Sequence, residues 1–353
     1  MKVCLVAAPV TARSGVYRSC VDLVASARSR GLDWTGEIAV RPGAAGASVE
    51  AEGVRETQLS EHGRAVVPAI RGLLRASPAV RGADVVITLI SQSDMAMASC
   101  RDLAAKHVAW VRGLPWPDRG EQTFPRRLLL RRLEARALRR ADDVWATSSI
   151  LARSVAEVRL PCLVPAGVPS RPRLSTGESA EGPIVWAGRL TADKGVSEFL
   201  ELARTIDHPA RLQGAGPLDG LVRRTAPSSL EIAGWGAPDS LWHDAAVYVS
   251  TSRREAYGRC AVEAAQAGVP LVLSDQVGVG PQLITDPDLR RRFLLPLARP
   301  HLWGTAIEGL LSDRRLRRRL SDHVVANASS LSIHGSVDLA LERLHQSAER
   351  VLS

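Results

Sequence analysis

Short apolar runs alternate with longer amphipathic stretches along most of this 353-residue chain, and that alternation restricts the fold more than any other feature. In the first half, Lys2 to Ala7, Thr35 to Val40, Ala83 to Ile90, His107 to Val111, Asp143 to Ala146 and Cys162 to Val164 read as strands. Helical stretches lie between them at Val16 to Arg30, Arg64 to Ala76, Asp94 to Lys106, Pro125 to Arg140 and Ser149 to Glu157. Strands interleaved with helices predict a parallel sheet covered on both faces. From Pro165 to Pro183 the sequence becomes PAGVPSRPRLSTGESAEGP, dense in Pro, Gly and Ser, which marks a domain boundary. The alternation then restarts with strands at Ile184 to Ala187, Ala210 to Gln213 and Leu230 to Ala233, and helices at Val196 to Thr205, Leu218 to Arg224 and Asp239 to Asp244. Helices are expected to close the chain at Trp303 to Leu311, Asp313 to Ala326 and Ser336 to Leu352. The expected organisation is a domain at 1–165, a linker at 166–182, a second domain at 183–335 and a final helix at 336–353 packing back on the first domain. Both domains are α/β, doubly wound and Rossmann-like.

The stretch STSRREAYGRCAVEAAQAGVPLVLS, residues 250–274, says most about function. Val247 to Ser250 before the loop and Val269 to Leu273 after the helix read as short buried strands, giving strand, loop, helix, strand. Ligands of open parallel sheets sit beyond the carboxyl ends of the strands. Glu255 lies on that loop with Ala256, Tyr257 and Gly258, and the amides near Tyr257 to Cys260 would form a helix N-terminus, which attracts phosphate. Glu263 follows eight positions later. Eight residues at helical rise span roughly 12 Å, comparable with the reach of a nucleoside diphosphate from sugar to ribose.

A second loop, AGRLTADKG at 187–195, ends the first strand of the second half. Gly188 lets the backbone turn, and Arg189 and Lys194 supply fixed positive charge where a diphosphate would depart. Lysine occurs only at 2, 106 and 194 among 46 basic residues, so Lys194 stands out from an arginine background that gives a net charge of +9. QGAGP at 213–217 nearly matches a dinucleotide fingerprint but reads better as a tight turn lining a nucleotide cleft. Gly234 and Trp235 end the next strand and could wall a base. At the amino end, Ser14 and Gly15 could bring backbone amides to a ligand. Asp286-Pro287-Asp288 has an Asp-x-Asp form but lies in a Pro-containing loop, and no metal is assigned to it.

Five cysteines at 4, 20, 100, 162 and 260 form neither a zinc nor a disulfide pattern, which suits a reducing cytoplasm. No apolar run approaches a membrane span. PRRLLLRRLEARALRR, residues 125–140, carries seven arginines and one glutamate around leucines. Such a helix either packs with a solvated basic face or lies on an anionic membrane at the inner face. Nucleic acid is a poorer match, because no aromatic residues interleave with the charge.

Taken in order, SGVYR (14–18), ADDVWATSSILA (141–152), VPAGV (164–168), WAGRLTADKGVSEFLELA (186–203), QGAGP (213–217), LEIAGWGAPDSLWHDAAVYVS (230–250) and REAYGRCAVEAAQAGVPLVLSD (254–275) resemble the retaining glycosyltransferases of family 4. The resemblance is densest from 183 to 284 and thins between 40 and 140, where that family's acceptor site lies. It implies GT-B architecture, two facing Rossmann-like domains with a cleft that closes on the donor. It implies a metal-independent transferase with no bound cofactor, moving a sugar from a nucleoside diphosphate, UDP or GDP, to an acceptor with retained configuration. Polysaccharide, lipid and small-molecule acceptors all stay open. Carried over by position, Arg189 and Lys194 would hold the diphosphate, Glu255 the sugar hydroxyls with amides near Tyr257 and Gly258, and Glu263 the ribose. Gly234-Trp235 would lie beside the base, and Ser14-Gly15 near the phosphates. Three positions depart from the family pattern. Arg112-Gly113 follow HVAWV where members often place a histidine, Ser14-Gly15 replaces a glycine pair, and Gln282 replaces an acid. Another GT-B enzyme, such as an epimerase or phosphorylase, and a non-catalytic sugar-nucleotide-binding protein remain alternatives.

Overall fold

Seven short strands of the first half pair side by side, and six of the second half do the same, giving two separate parallel sheets. The computed structural model describes residues 1–13, 15–116, 123–234 and 241–352, with side chains through 347. The chain divides into unit 1, residues 1–169 with 333–353, and unit 2, residues 170–332. In unit 1 the strands are β1 Val3–Ala12, β2 Trp34–Ala45, β3 Val54–Gln58, β4 Val85–Thr88, β5 Lys106–Val111, β6 Asp143–Ala146 and β7 Cys162–Leu163. Their order is β3-β2-β1-β4-β5-β6-β7, every pair parallel. In unit 2 they are β8 Ile184–Ala187, β9 Ala210–Gln213, β10 Leu230–Ala233, β11 Val247–Ser250, β12 Leu271–Ser274 and β13 Leu294–Leu295. Their order is β10-β9-β8-β11-β12-β13, again parallel throughout. Both are doubly wound sheets in which the strand order reverses beside the first strand.

These strands form because both faces of each are covered. Residues 3–8 of β1 and all of β8, β11 and β12 are buried, the expected state of a parallel strand roofed by helices on each side. Indoles fill the largest spaces. Trp110 of β5 meets Trp145 of β6 edge to face with centroids 5.6 Å apart, and Trp110 Nε1 donates to the Val164 carbonyl at 3.0 Å. The last helix, Ile333–Leu352, packs on Val16–Arg28 and lends Val337, Ala340 and Leu344 to the core of unit 1. Ser336 Oγ donates to the Pro165 carbonyl at 2.8 Å.

Several sequence expectations need correction. The helix expected at Asp94 to Lys106 is Ser91–Met97, followed by turns up to β5. Strand β3 was not foreseen, because VRETQ lies at a sheet edge and is only partly buried, so it lacks an apolar signature. The Asp286 loop is a helix start: Asp286 caps Pro287–Phe293 by accepting from the amides of Asp288 and Leu289 at 2.9 and 3.0 Å. The expected linker is bonded to unit 2 from Arg173 to Glu178. Leu174 and Ser175 amides donate to the Ala267 carbonyl, and buried Arg317 donates to the carbonyls of Gly177 and Glu178. In Phe124–Arg140 the leucine stripe is largely uncovered. Leu138 is buried, whereas Leu128, Leu129 and Leu133 are exposed.

Unit 1 also encloses a buried polar chain. Thr88 Oγ1 donates to the Asp94 carboxylate and lies 2.8 Å from His107 Nε2, while His107 Nδ1 has no partner among the described residues. Burial pushes Asp94 from 3.8 up to about 7, with Glu134 adding to the rise, and lowers His107 from 6.5 to about 4. The two act in opposite directions. The raised acid contributes stability that is complete below pH 3.8 and lost as pH rises through 7; the depressed histidine contributes stability present above pH 6.5 and lost as pH falls through 4. Asp94→Asn leaves His107 unopposed. Its stability in urea melts is expected to fall by roughly 2–3 kcal/mol between pH 7 and pH 4, against a flatter parent profile. Parallel profiles for the two proteins would contradict this.

Candidate active site

In unit 2 the sheet reverses between β8 and β11, so the loops after these strands diverge from neighbouring carboxyl ends and leave a crevice. Here they are pinned together. The amides of Arg253 and Arg254 donate to the Asp193 carbonyl at 2.8 and 3.2 Å, and Thr251 Oγ1 donates to the Gly195 carbonyl at 2.7 Å. Trp186 of β8 donates its indole N–H to the same Thr251 hydroxyl at 3.2 Å. Gly195 has φ +68, and a Cβ there would lie 1.7 Å from the Thr251 carbonyl oxygen, so only glycine permits the approach.

That approach delivers Lys194 and Glu255 to each other. The ammonium of Lys194, at the end of the turn Ala192–Lys194, donates to Glu255 Oε2, and both side chains are about four-fifths covered. Glu255 is itself held in place by the loop after β12. Its amide donates to the Gln276 carbonyl at 3.3 Å, and its carbonyl accepts from Gly278 at 2.9 Å. Val279 then donates to the Tyr257 carbonyl at 2.8 Å. The helix Arg259–Gln266 starts after Gly258 and carries Glu263. Glu255 therefore precedes the helix in a bridge with Val277, and helical rise separates only Arg259 from Glu263. The expected 12 Å of helix between the two glutamates is not present.

The electrostatics tie these groups together. The Cys260 thiol is pushed up to about 12, first by burial, then by the Glu263 carboxylate, with Lys194 pulling down and Glu255 adding to the rise. The Tyr248 phenol is raised for similar reasons: burial first, with Cys260, Glu255 and Glu263 adding. Lys194, Glu255 and Glu263 thus share one neighbourhood around Cys260.

The other expected residues are distributed as follows. Gly188 follows β8, and its carbonyl lies where a Cβ on Gly214 would come within 1.8 Å, so the turn at 213–217 sits directly against the β8 loop. The Leu190 amide donates to the Ala215 carbonyl at 3.0 Å across the same contact. Arg189 projects into solvent from the β8 loop, and its guanidinium has no partner among the described residues. Ala256, Tyr257 and Gly258 form the turn before the helix, with Tyr257 buried. Gly234 follows β10 at the same edge of the sheet, and Trp235 lies outside the described residues. Gly15 precedes the helix Val16–Arg28 of unit 1; Ser14 lies outside the described residues. Sequence reasoning passed over Trp186 and Thr251, which clamp the β8 and β11 loops. The indole on β8 carried the only signal, because an interior N–H needs an acceptor.

No group of three or more His, Cys, Asp or Glu side chains able to hold a metal occurs among the described residues. No helix among them is long and apolar enough to cross a membrane.

Residues 181–313, which contain this whole loop constellation, match the family model described as glycosyl transferases group 1. Nearly the whole chain matches known structures. Sucrose-phosphate synthase from Thermosynechococcus elongatus matches with TM-score 0.79 and 18% identity, over 99% of this chain and 100% of that one. The Anabaena protein HepE, solved with UDP and glucose, matches with TM-score 0.75 and 15% identity, over 98% and 100%. The lipopolysaccharide outer core galactosyltransferase WaaB matches with TM-score 0.72 and 14% identity, over 98% and 99%. The fold is GT-B. No curated protein gives a significant sequence match.

The clamp itself can be tested. Gly195→Ala must force the β8 and β11 loops apart, and a loss of at least about 2 kcal/mol in urea unfolding is expected. An unchanged midpoint would mean that the close approach at Thr251 does not exist.

Proposed function

We propose that this protein is a glycosyltransferase that takes a sugar from a nucleoside-diphosphate donor and passes it to an acceptor hydroxyl. The observation that carries the reading is the meeting of Lys194 and Glu255 at the strand-order reversal of unit 2. Open parallel sheets bind nucleotides at that reversal. A cation held against a carboxylate there offers both halves of what the donor needs. The ammonium can turn from Glu255 to the diphosphate, and the freed carboxylate can accept hydrogen bonds from sugar hydroxyls. The family match over 181–313 covers both residues.

During transfer the bond between the anomeric carbon and the diphosphate oxygen breaks, and the diphosphate leaves with the electron pair. The acceptor oxygen bonds the same carbon and gives up its proton. Charge grows on the departing oxygens, where Lys194 and the solvent-facing Arg189 supply positive charge. Glu263, one turn into its helix, would meet the ribose, and Gly234 with Trp235 the base. Retained configuration, independence from metal and a UDP or GDP donor follow the family resemblance. A UDP donor also agrees with the ligand named for HepE. The exposed arginines and leucines of Phe124–Arg140 suit contact with an anionic membrane face, which would place the enzyme there from the cytoplasmic side.

Two measurements follow. Lys194→Ala and Glu255→Gln should each lower turnover about 10²–10³-fold, with thermal midpoints close to the parent's. Near-normal turnover in either would remove the site assignment. In a thermal-shift series, UDP-sugars or GDP-sugars should raise the midpoint of the parent protein, and the effect should shrink in both variants. Binding with no release of nucleoside diphosphate in the presence of any acceptor would instead favour a non-catalytic sugar-nucleotide binder, and turnover dependent on free phosphate would favour a phosphorylase.

A further inference from the structure

Lys194 already has an anion, the carboxylate of Glu255. Both partners are anchored by backbone. The Lys194 amide donates to the Thr191 carbonyl at 3.1 Å, and the peptide of Glu255 is held by Gln276 and Gly278. Parting the two charges therefore falls to rotation of the flexible lysine stem. Glu255 Oε2 accepts from the ammonium, while Oε1 has the amide of Tyr257 at 3.5 Å, the outer limit of a hydrogen bond. Among the described residues the ammonium has no second hydrogen-bond partner. The two side chains are 20% and 19% exposed, against 73% and 64% in the surface pair Arg291–Asp288. With so little water around it, the pair attracts more strongly than a surface pair does.

A diphosphate asks the same ammonium for the same interaction. One compact charge on one nitrogen cannot give full contact to both anions, and sharing it would draw a carboxylate and a diphosphate into mutual repulsion. A sugar joined to the diphosphate resolves the conflict, because its hydroxyls donate to Glu255 and replace the ammonium there. Once the sugar has passed to the acceptor, those donors are gone. The carboxylate is then largely covered with one cation in reach, and a covered carboxylate left without its partner is costly. The pair that fits an intact donor thus opposes the spent nucleotide.

We infer that Glu255 competes with the nucleoside diphosphate for Lys194, so that the site holds an intact donor in preference to the spent nucleotide and lets the latter go after transfer. The inference rests on the glycosyltransferase reading of this site. It gives Glu255 a second role beside contact with sugar hydroxyls, that of setting specificity against the product. Product release limits turnover in many enzymes, and a tightly held diphosphate would slow every cycle. Two other accounts of Glu255 lead to different outcomes. A carboxylate that only keeps its loop in shape would, on removal, weaken every ligand. One that only adds negative potential near the phosphates would repel the nucleotide whether or not Lys194 is present.

Isothermal titration of the intact protein with UDP and with GDP, neither carrying a sugar, separates these accounts. Whichever nucleotide the parent binds, Glu255→Gln should bind it at least about fivefold tighter, within the ordinary range of coupling between sites. Lys194→Met should bind it at least about fivefold more weakly. Adding Glu255→Gln to Lys194→Met should then change affinity by less than about twofold, because the competition needs the ammonium. Glu255→Ala provides a second neutral variant should the amide disturb the fold, and the thermal midpoint of each variant checks that it is folded. A Glu255→Gln protein that binds no tighter than the parent would overturn the inference, as would equal tightening with and without Lys194. Binding of neither nucleotide to the parent would remove the donor reading and the competition with it. A parent that binds UDP or GDP, with no gain in Glu255→Gln, would remove the competition alone.

Discussion

The backbone contact between Gly195 and Thr251 is the constraint on which the unit 2 site depends. Parallel strands side by side send their following loops off in different directions where the winding reverses. Left alone, such loops would hold any two side chains loosely. Here a left-handed glycine lets one loop lie on the carbonyl of the other, and the Trp186–Thr251–Gly195 chain of hydrogen bonds locks that placement to the interior of β8. The loop after β12 adds a third layer by binding both faces of Glu255's peptide. Lys194 and Glu255 are therefore positioned by backbone, which is stiffer than side-chain packing on a mobile loop.

Most of unit 2 was legible because its central strands, IVWA, VYVS and LVLS, are short, almost wholly apolar runs that end in polar loops. IVWA-GR and VYVS-TS show the pattern plainly. The charged residues at those ends could be named from type and place alone. Their mutual contact could not, because it depends on a carbonyl position and a backbone angle that leave no mark on neighbouring letters. The spacing of the two glutamates misled for a related reason. Counting eight positions at helical rise overstates the helix between them, because bridge pairing with Val277 claims Glu255 and the helix starts only after Gly258. In unit 1 the edge strand β3 was invisible, since half-wet VRETQ resembles a loop, whereas doubly covered β4 and β5 were plain.

Charge tells a different story in the two units. In unit 2 many arginines are answered by acids: Arg211 by Glu231 and Asp244, Arg253 by Glu198, Arg319 by Asp286. These exposed pairs add little stability individually, but they neutralise one another. The helix Phe124–Arg140 has seven arginines to one glutamate. Arg131 reaches Glu157 at 3.6 Å, a contact that leaves the rest of the helix strongly positive. A high arginine content across the chain explains how many basic residues there are; it does not explain why seven of them gather on one helix with a single glutamate.

The helix Ile333–Leu352 completes the core of unit 1, although all of unit 2 intervenes in the chain. During synthesis, then, the sheet of the first unit emerges long before Val337, Ala340 and Leu344 exist to cover it. Unit 2 has every residue of its own sheet available by the time Leu295 has emerged, so it can settle while its predecessor is still waiting. The domain that comes first off the ribosome is the one that must finish last.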